Sequence, residues 1–180
     1  AHPVAEQFLG PDVLDQQPVH RPRHLARQPQ QRRAAGGLGH FLAQQFGNPV
    51  HCVKLANDGL VYVCDRINNR IQVFKKDGSF VKEWFFEKNT LGNGAVWDIA
   101  IWPDPKQTYL LSADGENNEI RIIKREDGTV AGSFGRSGRN AGQFHWVHAM
   151  AIDAKGNVYT AEVDTGKRIQ KFKLTSDALK

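Results

Sequence analysis

The chain has 180 residues, 24 Lys and Arg against 19 Asp and Glu, and a net charge of +5. That length suits one ordinary domain, and a small charge with basic residues set mostly beside acidic ones argues against a nucleic-acid partner. No apolar run approaches the roughly 20 residues of a membrane-spanning helix, so a soluble protein without a membrane span is expected.

Residues 1–45 differ in composition from the rest of the chain. They hold eight Gln, five Pro and five Arg but no Lys, whereas the remainder holds twelve Lys and seven Arg. Pro, Gln and Arg at this density predict an irregular or disordered N-terminal segment, and no apolar core of a signal peptide is present. Gly36-Gly37-Leu38-Gly39 reads as a linker, the domain runs over 46–180, and the stretch from Phe41 to Phe46 is expected to dock on its first blade.

From His51 to Phe74 the pattern is three short strands joined by two tight turns. Asn57-Asp58-Gly59 supplies a Gly where positive φ is needed, and Asp65 to Asn69 supplies side chains that bond their own backbone. Val, Ile, Tyr and Phe fill the flanking runs, as pleated strands prefer. A fourth strand follows Asp77-Gly78, over Ser79 to Trp84. Folding the first hairpin sets Cys52 opposite Cys64. A cross-strand bridge and a pair of buried thiols both fit that placement; the thiol reading is favoured, because spacing does not reveal oxidation, and the compartment stays open.

The same pattern returns. Tyr109 to Asp114 followed by Asn117 to Ile123 repeats the second and third strands, and Val158 to Glu162 followed by Arg168 to Phe172 repeats them again. The inner strands are predicted at 96–101 and 147–152, and the Pro-containing loop 103–107 is barred from pairing. A period of about 50 residues with roughly four strands per unit is the signature of a β-propeller. The expected fold is therefore all-β, a partial propeller of about three four-stranded blades, the last cut short at Lys180. Closed propellers have roughly four to eight blades, so the missing ones are expected from a longer chain or from self-association.

Asp65, Asn69-Arg70-Ile71-Gln72-Val73-Phe74 and the loop Gly135 to Phe144 that leads into an inner strand resemble the NHL repeat, whose family forms six-bladed propellers. Within it, the chain resembles the peptidyl-α-hydroxyglycine α-amidating lyases, which cleave the C–N bond of a hydroxyglycine-extended peptide. That resemblance implies zinc held by a His at the start of the inner strand in three blades, and an Arg in the turn after a second strand that acts on the substrate. Val50-His51-Cys52-Val53 and Val147-His148-Ala149-Met150 match two of the His motifs, and Asp65-Arg66 matches the Asp-Arg pair. His51 and His148 are thus the implied zinc ligands and Arg66 the implied catalytic residue. Trp97 stands at the His position of the second blade, Ala149 replaces the Asp that often follows the last His, and no third His motif is present. The site is thus incomplete against the three protein ligands of a catalytic zinc. A protein-binding platform without chemistry, taking a peptide or protein ligand, is the alternative function.

Each candidate also has a structural reading. His51 shares strand parity with Val53 and Leu55, and His148 with Met150 and Ile152, so both suit packing positions, as Trp97 does. Arg66 suits a turn residue paired with Asp65 or Asp58, and Asp65, Asp114 and Asn69 read as turn caps rather than chemistry. Equivalent positions on neighbouring inner strands share one height on the axis. His51, Trp97 and His148 are therefore expected in a ring at the end where inner strands begin. The second blade is expected to keep the two histidines from touching, and the turn of Arg66 returns to the same end.

Overall fold

The structure, a computed structural model, describes residues 46–173. Residues 1–45 and 174–180, and with them the expected irregular segment and linker, lie outside the described residues. Strands β1 (Cys52–Leu55), β2 (Val61–Asp65), β3 (Arg70–Phe74) and β4 (Phe80–Phe85) form one antiparallel sheet in chain order. Strands β5 (Asp98–Ile101), β6 (Tyr109–Asp114), β7 (Glu119–Lys124) and β8 (Val130–Phe134) form a second sheet, again in chain order. Strands β9 (Val147–Ile152), β10 (Val158–Glu162) and β11 (Arg168–Phe172) form a third, three-stranded among the described residues. The architecture is the expected partial propeller, and no helix occurs among the described residues.

Register makes the repeat explicit. Asp65 pairs with Arg70, Asp114 with Glu119 and Glu162 with Arg168, so these turns are equivalent. Asn69 and Asn118, each last in its turn, take φ of 56° and 60°, the left-handed region that Asn tolerates better than most residues.

The core lies in the seams between sheets. Tyr62, Cys64, Ile71 and Val73 of the first blade pack on Val96, Ile99, Leu110 and Ile123 of the second. The other face of the second blade presents Leu111, Ala113, Ile120 and Ile122 to Phe144, Val147, Met150 and Val158 of the third. Burial follows the neighbour rather than the residue. Ile71 and Ile120 are fully buried, whereas Ile169, their equivalent on β11, is 78% exposed; Val53 on β1 is 64% exposed where Ile99 is fully buried. These open faces are the apolar ends that an arc of blades exposes.

Cys52 and Cys64 are register partners with Cα atoms 4.8 Å apart, and a disulfide joins them. This corrects the favoured reading as two thiols. Directly opposed residues on adjacent antiparallel strands bring both sulfurs within bonding reach, and this Cα separation lies inside the range of disulfides. The segment before β1 docks as expected at its end: the rings of Phe46 and Phe74 are 5.9 Å apart, and the Gly47 N–H donates to Asp65 Oδ1 at 2.8 Å.

Candidate functional site

The turns at the β2–β3 connections are built first from charge. Asp65, fully buried, accepts from Arg70 Nε at 2.7 Å and from Gln72 Nε2 at 3.2 Å. Asp114, also fully buried, accepts from Arg121 at 2.5 Å, and Glu162 accepts from Arg168 Nε at 2.8 Å. Burying a carboxylate is tolerable only with such partners. In the second blade the arginine stands two residues further on, at the position of Gln72, and Glu119 replaces Arg70 as its second partner at 2.6 Å. The turn asparagines also tie each blade to the next: Asn69 Oδ1 accepts from Ala95 N at 2.8 Å and Asn118 Oδ1 from Trp146 N at 2.7 Å. Asp65, Asp114 and Asn69 are therefore structural, as their turn chemistry implies.

The three turns and the starts of the three inner strands share one end of the arc, and there the candidate residues meet. His51 lies one residue before β1, and its backbone N–H donates to Cys64 O at 3.0 Å. Its ring Nδ1 bonds the Trp97 carbonyl oxygen. A carbonyl only accepts, so Nδ1 carries the proton and Nε2 keeps its lone pair. Partial burial, with the charges of Arg66 and His148 nearby, holds the His51 imidazole below its ordinary pKa, against the opposing pull of the Trp97 bond and Asp98. The neutral ring that results is the form that ligates metal.

His148, the second residue of β9, faces His51 edge to face, with ring centroids 4.8 Å apart and planes at 67°. The expectation that the second blade separates the two histidines is thus corrected. Trp97 does lie between their strands, but the side chains at the strand entries converge towards the axis and meet over the indole. Its ring centroid is 5.9 Å from that of His51 and 5.5 Å from that of His148.

Arg66 opens the β2–β3 turn and reaches the same place. Its Cζ lies 4.7 Å from the Trp97 ring centroid, a cation–π contact. It pairs with neither acid considered for it: Asp65 is engaged by Arg70, and Asp58 by Arg125 at 2.6 Å. Its Nε is buried without a hydrogen-bond partner among the described residues. Burial lowers its pKa, with the charge of Glu116 opposing. A guanidinium keeps its proton at physiological pH regardless, so it stands as a fixed donor fork.

Two imidazoles are brought together at the entry. The two ring centroids lie 4.8 Å apart, which puts the imidazoles in contact. Among the described residues, however, no group of three or more His, Cys, Asp or Glu is placed to hold a metal. Sequence reasoning missed the role of Trp97, which it treated as apolar filling. The signal was an aromatic residue at the position where two other blades carry His.

The profile of the NHL repeat matches residues 50–74. The chain is 31% identical over 131 residues to human NHL repeat-containing protein 3, covering 69% of this chain and 35% of that protein. It is 20% identical over 186 residues to the mouse protein of the same name, covering 72% of this chain and 53% of that one. The chain thus spans between a third and about half of the length of these relatives. Among solved structures it is similar to the catalytically inactive H270A virginiamycin B lyase of Staphylococcus aureus with quinupristin, with a TM-score of 0.51 and 19% identity over 76% of this chain and 45% of that one. That likeness concerns the fold alone. Together with the three sheets and their shared register, these matches identify residues 46–173 as part of an NHL-repeat β-propeller.

Proposed function

We propose that this propeller binds a zinc ion and a carboxylate-bearing peptide at the inner-strand entry, in the manner of the α-amidating lyases it resembles. The supporting observation is the convergence of His51, His148 and Arg66, from three separate elements, on one place beside Trp97. His51 Nε2 and the His148 ring supply two ligands, and a further blade, from a longer chain or a second copy, supplies the third. Zinc at such a position contributes Lewis acidity toward a substrate oxygen. The Arg66 guanidinium, paired with neither Asp65 nor Asp58, holds the carboxylate in a bidentate grip. In this reading the protein is a lyase-like enzyme.

The second reading is a protein-binding platform. It is favoured by the two-ligand set among the described residues, which falls short of the three protein ligands of a catalytic zinc. Calorimetric titration of the full-length protein with zinc separates the two. The metal reading predicts saturable binding that falls by more than about tenfold in His51→Ala and in His148→Ala, the scale at which even outer-shell changes weaken metal sites. Unchanged stoichiometry and affinity in both variants would reject it and leave the platform.

A further inference from the structure

Trp97 occupies the repeat position of His51 and His148 yet offers no metal ligand. The directional contacts at the entry nevertheless pass through it. The indole Nε1–H donates to the Gly94 carbonyl at 2.7 Å. The ring rests against Gly115, where a Cβ would come within 2.6 Å of indole Cδ2. Gly94, at φ +78°, stands against the backbone of Arg66, and a Cβ there would collide with the Arg66 carbonyl oxygen. Gly115 thus leaves room for the indole, and Gly94, whose carbonyl holds the indole N–H, leaves room for the Arg66 backbone.

From that seat the residue meets all three candidate groups. Its π face carries the Arg66 guanidinium at 4.7 Å, its carbonyl accepts from His51 Nδ1, and its ring meets the His148 ring at 85°. A residue that merely fills the seam needs volume only. These contacts use the indole N–H, the π face and the backbone oxygen, each in a set direction.

We propose that Trp97 is the positioning residue of the entry site: it aims the Arg66 guanidinium and orders the His51 and His148 rings without touching a ligand itself. The assignment rests on the proposed zinc and carboxylate site but is tested separately from it. The cation–π contact and the Nε1–H bond to Gly94 both depend on side-chain identity, since any replacement keeps the carbonyl; Phe retains the first and loses the second, and Leu loses both.

The test is ¹⁵N–¹H NMR of the metal-free full-length protein, following Arg66 Nε–H and the imidazole nitrogens in wild type, Trp97→Phe, Trp97→Leu and Gly115→Ala. Wild type is expected to show a ring-shifted, exchange-protected Arg66 Nε–H and a His51 protonated on Nδ1. Phe keeps a π face and should retain the Arg66 signature, whereas Leu keeps bulk alone and should lose it. Where the wild type binds zinc, Trp97→Phe should keep that affinity and Trp97→Leu should lose about tenfold. Gly115→Ala, at a backbone conformation open to Ala, displaces the ring without removing it and should move the Arg66 resonance even where the Leu variant does not fold. An unshifted Arg66 resonance in wild type, or one unchanged in folded Trp97→Leu or Gly115→Ala, overturns the assignment. A wild type that binds no zinc defeats the metal reading and leaves the NMR outcome to decide the role of Trp97.

Discussion

The β2–β3 turn and the inner-strand entry lie at the same end of every blade, yet they are built on opposite terms. At the turn, each blade repeats one construction: a buried acid and an arginine that satisfies it. At the entry the repeat is broken. Equivalent positions carry His51, Trp97 and His148, and the neighbouring Arg66 has a buried Nε with no hydrogen bond among the described residues. What recurs in a repeat protein satisfies itself and holds the fold. What departs from the repeat, at the entry, is where the proposed ligand site lies.

Removing the acid of a turn is the harshest test of that contrast. Asp65→Ala takes the buried partner from Arg70 and frees the Gly47 N–H, and Asp114→Ala takes the buried partner from Arg121. Each is expected to lower unfolding free energy by about 3–5 kcal/mol in denaturant titration. A loss no larger than that of a surface substitution would place these pairs among decorative ion pairs.

Next in size is the strand staple. Replacing Cys52 and Cys64 together by Ser removes a bridge closing a 12-residue separation and is expected to cost about 3 kcal/mol. The same variant bears on the contrast between turn and entry, because the bridge ties the residue after His51 to the strand that leads to Arg66. A fully retained thermal midpoint would mean that the hairpin holds without it.

At the entry the expected stability effects are small. Arg66→Ala removes a cation–π contact and a partly desolvated charge, and its unfolding free energy should change by less than about 1 kcal/mol. A loss comparable to that of Asp65→Ala would move Arg66 from the site to the scaffold. Smaller still, Ile169→Ala should stay within about 0.5 kcal/mol in the 46–173 arc, because its face is open there, unlike the faces of Ile71 and Ile120.

Much of the fold was legible in the residues. Gly and Asn mark turns because they accept left-handed backbone, and β-branched and aromatic runs mark the strands between them. Asp65, Asp114 and Asn69 were readable as turn caps for the same reason. The arginine that shifts two places in the second blade was not, since pairing across a hairpin depends on register rather than spacing. Oxidation of Cys52 and Cys64 was likewise beyond sequence spacing, which brings sulfurs together without saying whether they bond.

The site was legible only in outline. Repeat equivalence placed His51, His148 and Arg66 at one end, and the structure agrees. The contact between the histidines was missed because the intervening second blade separates their backbones, and backbone spacing does not show how far the side chains reach. His51 precedes β1 and His148 is the second residue of β9, and their rings meet across the entry of the second blade. Trp97 was missed for a related reason: its contribution lies in its π face and carbonyl, which composition treats as apolar bulk.

Zinc K-edge X-ray absorption on the zinc-loaded full-length protein decides whether His51 and His148 hold the ion. The predicted first shell contains two imidazole nitrogens from this arc at about 2.0–2.1 Å, with one lost in His51→Ala and one in His148→Ala. An identical first shell in wild type and both variants would contradict it, and the two histidines would then be packing residues of the seam.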